Sequence, residues 1–404
     1  MTHPLDIDAI RAHFPALDGG TAYFDGPGGS QTPIVVADAI RDAMVRPLSN
    51  RGNNTAAERN AEEIVGQCRL AIGELLNADP GAVIFGRSMT ALTFDLSRTL
   101  SAQWRPGDEI VVTRLDHDAN VRPWVLAAAR AGAEVRWVDF DPATSELPVE
   151  NVEAALSDRT RLVAITAASN LIGTMPDVKN IAAHTRAAGA LLYVDGVHYT
   201  AHGAVDFHDL GADFFACSPY KFLGPHCGVV VGRPDVLADL RPDKLLPAAD
   251  RVPERFELGT LPYELMAGTT AAVDFLAGMT RATGSRRERL LTAMTALEHH
   301  EDTLRLRIEA GLRQLPTVTV HSRAARRTPT LLATFAEHRS AAISAVLAQH
   351  DINAPAGSFY AYEASRRLGL PEDGGVRIGL APYNTAADVD RLVDVLATTI
   401  DQRP

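Results

Sequence analysis

The chain has 404 residues, 46% hydrophobic and 22% charged, which suffices for a large core and a second, smaller domain. A formal net charge of −11 repels phosphate backbones, so nucleic acid is not an expected partner. No apolar run reaches the ~20 residues of a membrane span, and the opening MTHPLDIDAIRAHF lacks the basic and apolar regions of a secretory signal. A cytoplasmic protein is expected.

In chain order, residues 59–77 carry apolar residues at helical spacing. AVIFG (82–86) reads as a short buried strand, and the following RSMTALTFDLSRTL reads as a helix with Ser88 at or near its N-cap. Further strands are expected at 109–113, 134–140, 162–166, 191–195, 213–217 and 228–232. Most are continuous apolar runs, as in a parallel sheet covered by helices on both faces. A charged helical stretch from about 266 to 314 leads into a smaller α+β part. Its clearest strands are TPTLLATF (328–335) and GGVRIGL (374–380), followed by a terminal helix over 384–400 capped by Asn384 or Thr385.

The three cysteines, Cys68, Cys217 and Cys227, form no CxxC pair and no metal-ligand spacing, so packed thiols are expected and no metal site is. Only three lysines occur, Lys179, Lys221 and Lys244, while arginine supplies the remaining positive charge. Arginine cannot replace lysine as a nucleophile, because guanidinium does not deprotonate in proteins.

Ligands of open parallel sheets sit beyond the C-terminal strand ends. Arg87-Ser88-Met89-Thr90 follows the first strand and enters a helix, where backbone N–H groups suit a phosphate. His117 and Asn170 follow the strands ending at Thr113 and Thr166. Asp195 and His198 follow LLYV, and Ser218-Pro219-Tyr220-Lys221 follows DFFAC. Singly, each residue has an ordinary use as a turn, a cap or surface charge. Together they supply an amine, a carboxylate, an imidazole, hydroxyls and a phosphate nest on one sheet edge. Those are the groups that pyridoxal 5′-phosphate requires.

From Tyr23-Phe24-Asp25 to Tyr383-Asn384-Thr385, the sequence resembles the class V aminotransferase and cysteine desulfurase family of fold-type I pyridoxal-phosphate enzymes. FGRSMT, DGVHYTAH, YKFLGPH and VRIGLAPYNT point to its cysteine desulfurase-like branch. The resemblance implies that Lys221 is the Schiff-base lysine, Asp195 pairs with the pyridine nitrogen and His117 stacks on the ring. It places Asn170 and His198 near the cofactor's 3′-oxygen and the substrate, with His198 replacing the usual glutamine. Ser88, the Met89 backbone, Ser218 and Tyr220 would bind phosphate. Thr260 matches a residue that reaches the phosphate of a partner subunit, which implies a homodimer with its site at the subunit boundary. Arg377 would clamp the α-carboxylate, and Asn54 is a further candidate on the substrate side. The implied fold is α/β, with a mostly parallel large-domain sheet and a smaller α+β domain. The expected divisions are 1–20 (packing with the small domain), 21–265 and 266–404.

One departure matters. The family's persulfide cysteine falls at or beside Tyr360, in APAGSFYA (354–361), and no cysteine follows Cys227. The expected activity is therefore C–S or C–Se cleavage of an amino acid by elimination without a persulfide. The alternatives are a class V aminotransferase or epimerase, or a non-catalytic binding protein on the same fold.

Overall fold

The computed structural model describes residues 4–401, so residues 1–3 and 402–404 of the expected terminal divisions lie outside the described residues. The large sheet has seven strands: β1 (Val83–Gly86), β2 (Glu109–Thr113), β3 (Glu134–Val138), β4 (Thr160–Thr166), β5 (Leu191–Asp195), β6 (Phe214–Cys217) and β7 (Gly228–Gly232). Their spatial order is β1-β7-β6-β5-β4-β2-β3, and only β7 runs against the rest.

Alternate residues of these strands enter two different cores. Val111, Val163, Leu192, Val194 and Phe215 face one cluster, while Ile110, Val112, Leu162, Tyr193 and Phe214 face the other. Burial on both faces explains why the strands read as unbroken apolar runs. The edge strand β3 departs from this: it ends at Val138, two residues short of the expected run, and Glu134 and Arg136 are exposed.

The expected helical stretch after 265 is two helices, Tyr263–Gly278 and Arg286–Leu312. The break arises because Ser285 and Glu288 form a capping box that starts a new helix. The first helix packs on Ile34–Val45 and Ala56–Leu76 and buries Met266, Val273 and Leu276 in the large-domain core. An expected division at 265 therefore falls within a helix that belongs with the large sheet. The second helix bridges the cores: Leu290, Met294 and Leu297 join the large one, and Leu304, Ile308 and Leu312 join the small one.

The small sheet orders β10 (Ala356–Gly357), β11 (Gly375–Gly379), β9 (Thr330–Phe335) and β8 (Val318–Val320), all antiparallel. Near the N-terminus, Arg11 donates to the Tyr383 carbonyl at 2.5 Å and pairs with Asp388 at 3.2 Å, while Phe14 packs edge-on to both Tyr383 and Phe275. The N-terminal segment thus contacts the small domain and the large-domain helix together. No helix among the described residues is long and apolar enough to cross a membrane.

Candidate active site

The loops after β1, β2, β4, β5 and β6 border an inner chamber lined by Ser88, His117, Asn170, Asp195, His198 and Lys221 among others. An outer chamber of about 1060 Å³, open to solvent, shares His117, Asn170, Tyr220 and Lys221 and adds Phe359, Tyr360 and Arg377.

Each group is held by its strand end. Ser88 caps the helix Met89–Ser101, its Oγ accepting from the Ala91 N–H at 3.1 Å. This leaves the first backbone N–H groups of the helix at the chamber. Gly228 on β7 makes the close approach possible, since a Cβ there would lie 2.1 Å from the Met89 nitrogen. Asp195 closes β5, and its Oδ1 accepts from the Val197 N–H at 2.9 Å. The turn after it needs Gly196, whose Cβ would lie 1.8 Å from the Phe215 ring. Beneath His117, the buried Asp116 accepts from Thr113 and from Asn120 (2.7 Å), and Asn120 accepts from the Trp124 indole at 3.1 Å. Burial pushes the Asp116 carboxyl up to about 8.

Burial also sets the protonation pattern of the site. It lowers Lys221 to about 7, aided by the Arg377 charge and opposed by Asp195 and Asp25. It raises Asp195 to about 6, opposed by the Val197 N–H and Lys221. Desolvation, with Lys221 and Arg377, lowers His117 to about 4. His117 Nδ1 accepts from the Ala119 N–H at 3.0 Å, so its neutral ring carries the proton on Nε2. Lys221 Nζ donates to the Pro27 carbonyl and sits 5.2 Å from the centre of the Tyr220 ring. That ring stacks on His226 at 4.7 Å.

His198 Nε2 lies 2.9 Å from Thr328 Oγ1 and 3.0 Å from Thr330 Oγ1, while its Nδ1 is buried without a protein partner. Its ring packs edge-on to His202 at 4.8 Å, and His202 Nδ1 meets Glu301 at 2.8 Å. Asn170 joins the two chambers: its Nδ2 donates to the Phe359 carbonyl at 2.9 Å, its backbone carbonyl accepts from Arg377 at 3.1 Å, and its Oδ1 is unpartnered. Arg377 is only 3% exposed and makes no salt bridge among the described residues. Burial lowers its pKa from the ordinary guanidinium range, opposed by the Asp25 charge, and it stays charged at neutral pH. Its guanidinium lies 3.7 Å from the centre of the Phe359 ring.

The structure thus brings Ser88, Met89, His117, Asn170, Asp195, His198, Ser218, Tyr220 and Lys221 onto one chamber and Arg377 onto its neighbour. Two expected residues are absent from both chambers. Thr260 is exposed on the segment before Tyr263–Gly278. Asn54 is likewise exposed, and its N–H donates to Glu58 at 2.6 Å in the capping turn of Ala56–Leu76. Sequence reasoning missed Thr166, Phe94 and the hydroxyl pair Thr328 and Thr330. The pair could have been noticed as two threonines flanking Pro329 at the start of β9, but its contact with His198 spans 130 residues.

The chain belongs to the class V aminotransferase family, whose pattern matches residues 22–392. It is 34% identical to the protein MT3887 of Mycobacterium tuberculosis (strain CDC 1551 / Oshkosh), over 97% of this chain and 99% of that one. It is 31% identical to the aminotransferase-like protein FGM3 of Gibberella zeae (strain PH-1), over 96% and 97%. Its fold matches the cysteine desulfurase CsdA of Escherichia coli, solved as its S-sulfonic acid, with a TM-score of 0.87, 25% identity and 98% of each chain covered. The fold is that of fold-type I pyridoxal-phosphate enzymes, and the family uses this cofactor. The site fits it: a half-buried lysine whose amine is lowered to about 7, a buried carboxylate on the same chamber, and a cradle at Ser88–Met89 that a Cβ on Gly228 would fill.

Proposed function

We propose that this pyridoxal-phosphate enzyme acts on an amino acid bearing sulfur or selenium at Cβ and breaks the C–S or C–Se bond by elimination, without a cysteine persulfide. The observation that carries this reading is the thiol-free rim. The loop beside the outer chamber presents Phe359 and Tyr360, and none of the three cysteines lines either chamber. Burial raises all three thiols, Cys227 to about 11, so none is a ready nucleophile.

In this reading Lys221 holds the cofactor covalently. Asp195 would pair with its ring nitrogen, His117 would stack on its ring, His198 and Asn170 would serve its 3′-oxygen, and Ser88, Met89, Ser218 and Tyr220 would hold its phosphate. Bound there, the cofactor supplies an electron sink for charge developing at the substrate's Cα. Lys221, neutral above about pH 7, takes the Cα proton. Arg377 receives the substrate carboxylate, since its buried guanidinium makes no salt bridge among the described residues and suits bidentate pairing. We further read the chain as a homodimer in which exposed Thr260 serves the partner's phosphate site; sedimentation as an active monomer would overturn this.

Products identified by mass spectrometry from the holoenzyme and a panel of amino acids test the reaction. Pyruvate with sulfide, selenide or a thiol supports elimination. A keto acid retaining the substrate's side chain supports the second reading, transamination, which is favoured by the 31% identity to an aminotransferase-like protein.

A further inference from the structure

We infer that Phe359 and Tyr360 form a wall that selects the substrate's side chain, and that the substrate is a cysteine conjugate with a bulky apolar group on sulfur, an S-alkyl or S-aryl cysteine. This inference rests on the elimination reading above and names the substrate class of that site.

Both residues have left-handed backbones, with φ of 54° at Phe359 and 58° at Tyr360. Side chains other than glycine rarely adopt this conformation, and two in succession persist only where surrounding contacts hold them. Here the contacts come from the site itself. The Phe359 carbonyl accepts from Asn170 at 2.9 Å, and the Tyr360 carbonyl accepts from the Asp118 N–H at 2.8 Å. The loop is thereby pinned to the two segments that carry Asn170 and His117. The Phe359 ring covers Arg377 at 3.7 Å, and the Tyr360 ring lies 5.6 Å from that of His117, tilted by 34°. The aromatic pair thus spans the gap between the carboxylate clamp and the imidazole over the inner chamber. Yet Tyr360 is 78% exposed, so much of its surface is uncovered within this chain.

The chamber's other lining narrows the class of side chain. Pro27 and Phe94 add apolar surface. Arg122 is committed to Asp118 at 3.1 Å, which leaves Arg377 as the chamber's unpaired guanidinium. With Arg377 taken by the α-carboxylate, the remaining wall suits an apolar or aromatic group. A rim without a thiol fits this class as it fits elimination in general. A sulfur atom bonded to carbon leaves as a thiol, which needs a proton and no covalent acceptor.

The reaction balances with water alone. The Cα–H and Cβ–S bonds break, the C–S electron pair leaves with sulfur, and sulfur is protonated to RSH. The released enamine tautomerises and is hydrolysed to pyruvate and ammonium. Overall, RSCH2CH(NH3+)COO− plus H2O gives RSH, pyruvate and NH4+, with no external oxidant or reductant.

Two measurements on the holoenzyme test this. Calorimetry compares 3-phenylpropionate with propionate, carboxylates that lack an amine. The aryl compound should bind at least about tenfold tighter, as expected for burying one aromatic group. Tyr360→Ala and Phe359→Leu should each shrink that ratio severalfold. Turnover then compares S-benzyl-cysteine with cysteine, and kcat/KM should favour the conjugate by at least about tenfold. Equal affinity of the two carboxylates, or a ratio untouched by both variants, overturns the wall. If cysteine yields sulfide and pyruvate as fast as the conjugate yields thiol and pyruvate, elimination stands and the inferred substrate class fails. If the carboxylate preference holds but no thiol or pyruvate forms from any conjugate, the wall stands and the elimination reading fails.

Discussion

The two chambers differ in how their side chains are held. The inner one is built from strand ends: Asp195, Asn170 and Ser218 are nearly buried, and each follows or closes a strand locked on both faces by core packing. The outer one takes its wall from a loop about 140 residues further along the chain, with two left-handed residues and an exposed tyrosine. In the proposed reading the sheet edge sets the cofactor chemistry, and the rim sets what approaches that chemistry. A rim can change residue by residue without disturbing a core, and here aromatic rings stand where the family resemblance places a thiol.

Predictions can break or sharpen this contrast, beginning with the inner chamber. Lys221→Ala should abolish covalent attachment of the cofactor, seen as loss of the borohydride-fixed mass increase on the intact chain. It should also lower turnover by about 10³-fold or more, the scale of a lost proton-transfer group. Arg377→Ala spans the boundary between chambers and should raise KM for amino acids about 100-fold, or ~3 kcal/mol, a scale set by truncation of a buried charge-assisted contact. An equal fall in kcat with unchanged KM would instead place Arg377 in the inner machinery.

A pH series tests the buried amine. The free amine is the form that captures an aldehyde, and burial lowers Lys221 to about 7. Capture of pyridoxal phosphate by the apoprotein should therefore quicken about tenfold from one unit below that value to one unit above it, then level off. A rise continuing toward the ordinary lysine range would show an amine open to solvent. The smallest expected effect is at the phosphate cradle. Ser88→Ala removes the N-cap of Met89–Ser101 and should cost about 1 kcal/mol in urea unfolding. A much larger loss would mean that Ser88 supports more than its helix.

The sequence alone determined the alternation of strands and helices, because strands packed on both faces must be apolar throughout. It also determined the order in which Ser88, His117, Asn170, Asp195 and Lys221 follow their strands, since a parallel sheet places its C-terminal loops on one edge. Ser88 as a cap was readable for a local reason: a hydroxyl reaches N–H groups only a turn away. Tertiary structure decided what depends on distant contacts. It split the helical stretch after residue 265 and gave its first half to the large core. It kept Asn54 out of this chain's chambers, set His198 against Thr328 and Thr330, and laid Phe359 over Arg377. Burial and the field of neighbouring charges are properties of the assembled chain, so the lowered Lys221 amine and the unpaired Arg377 could be read only once the two sheets had brought their loops together.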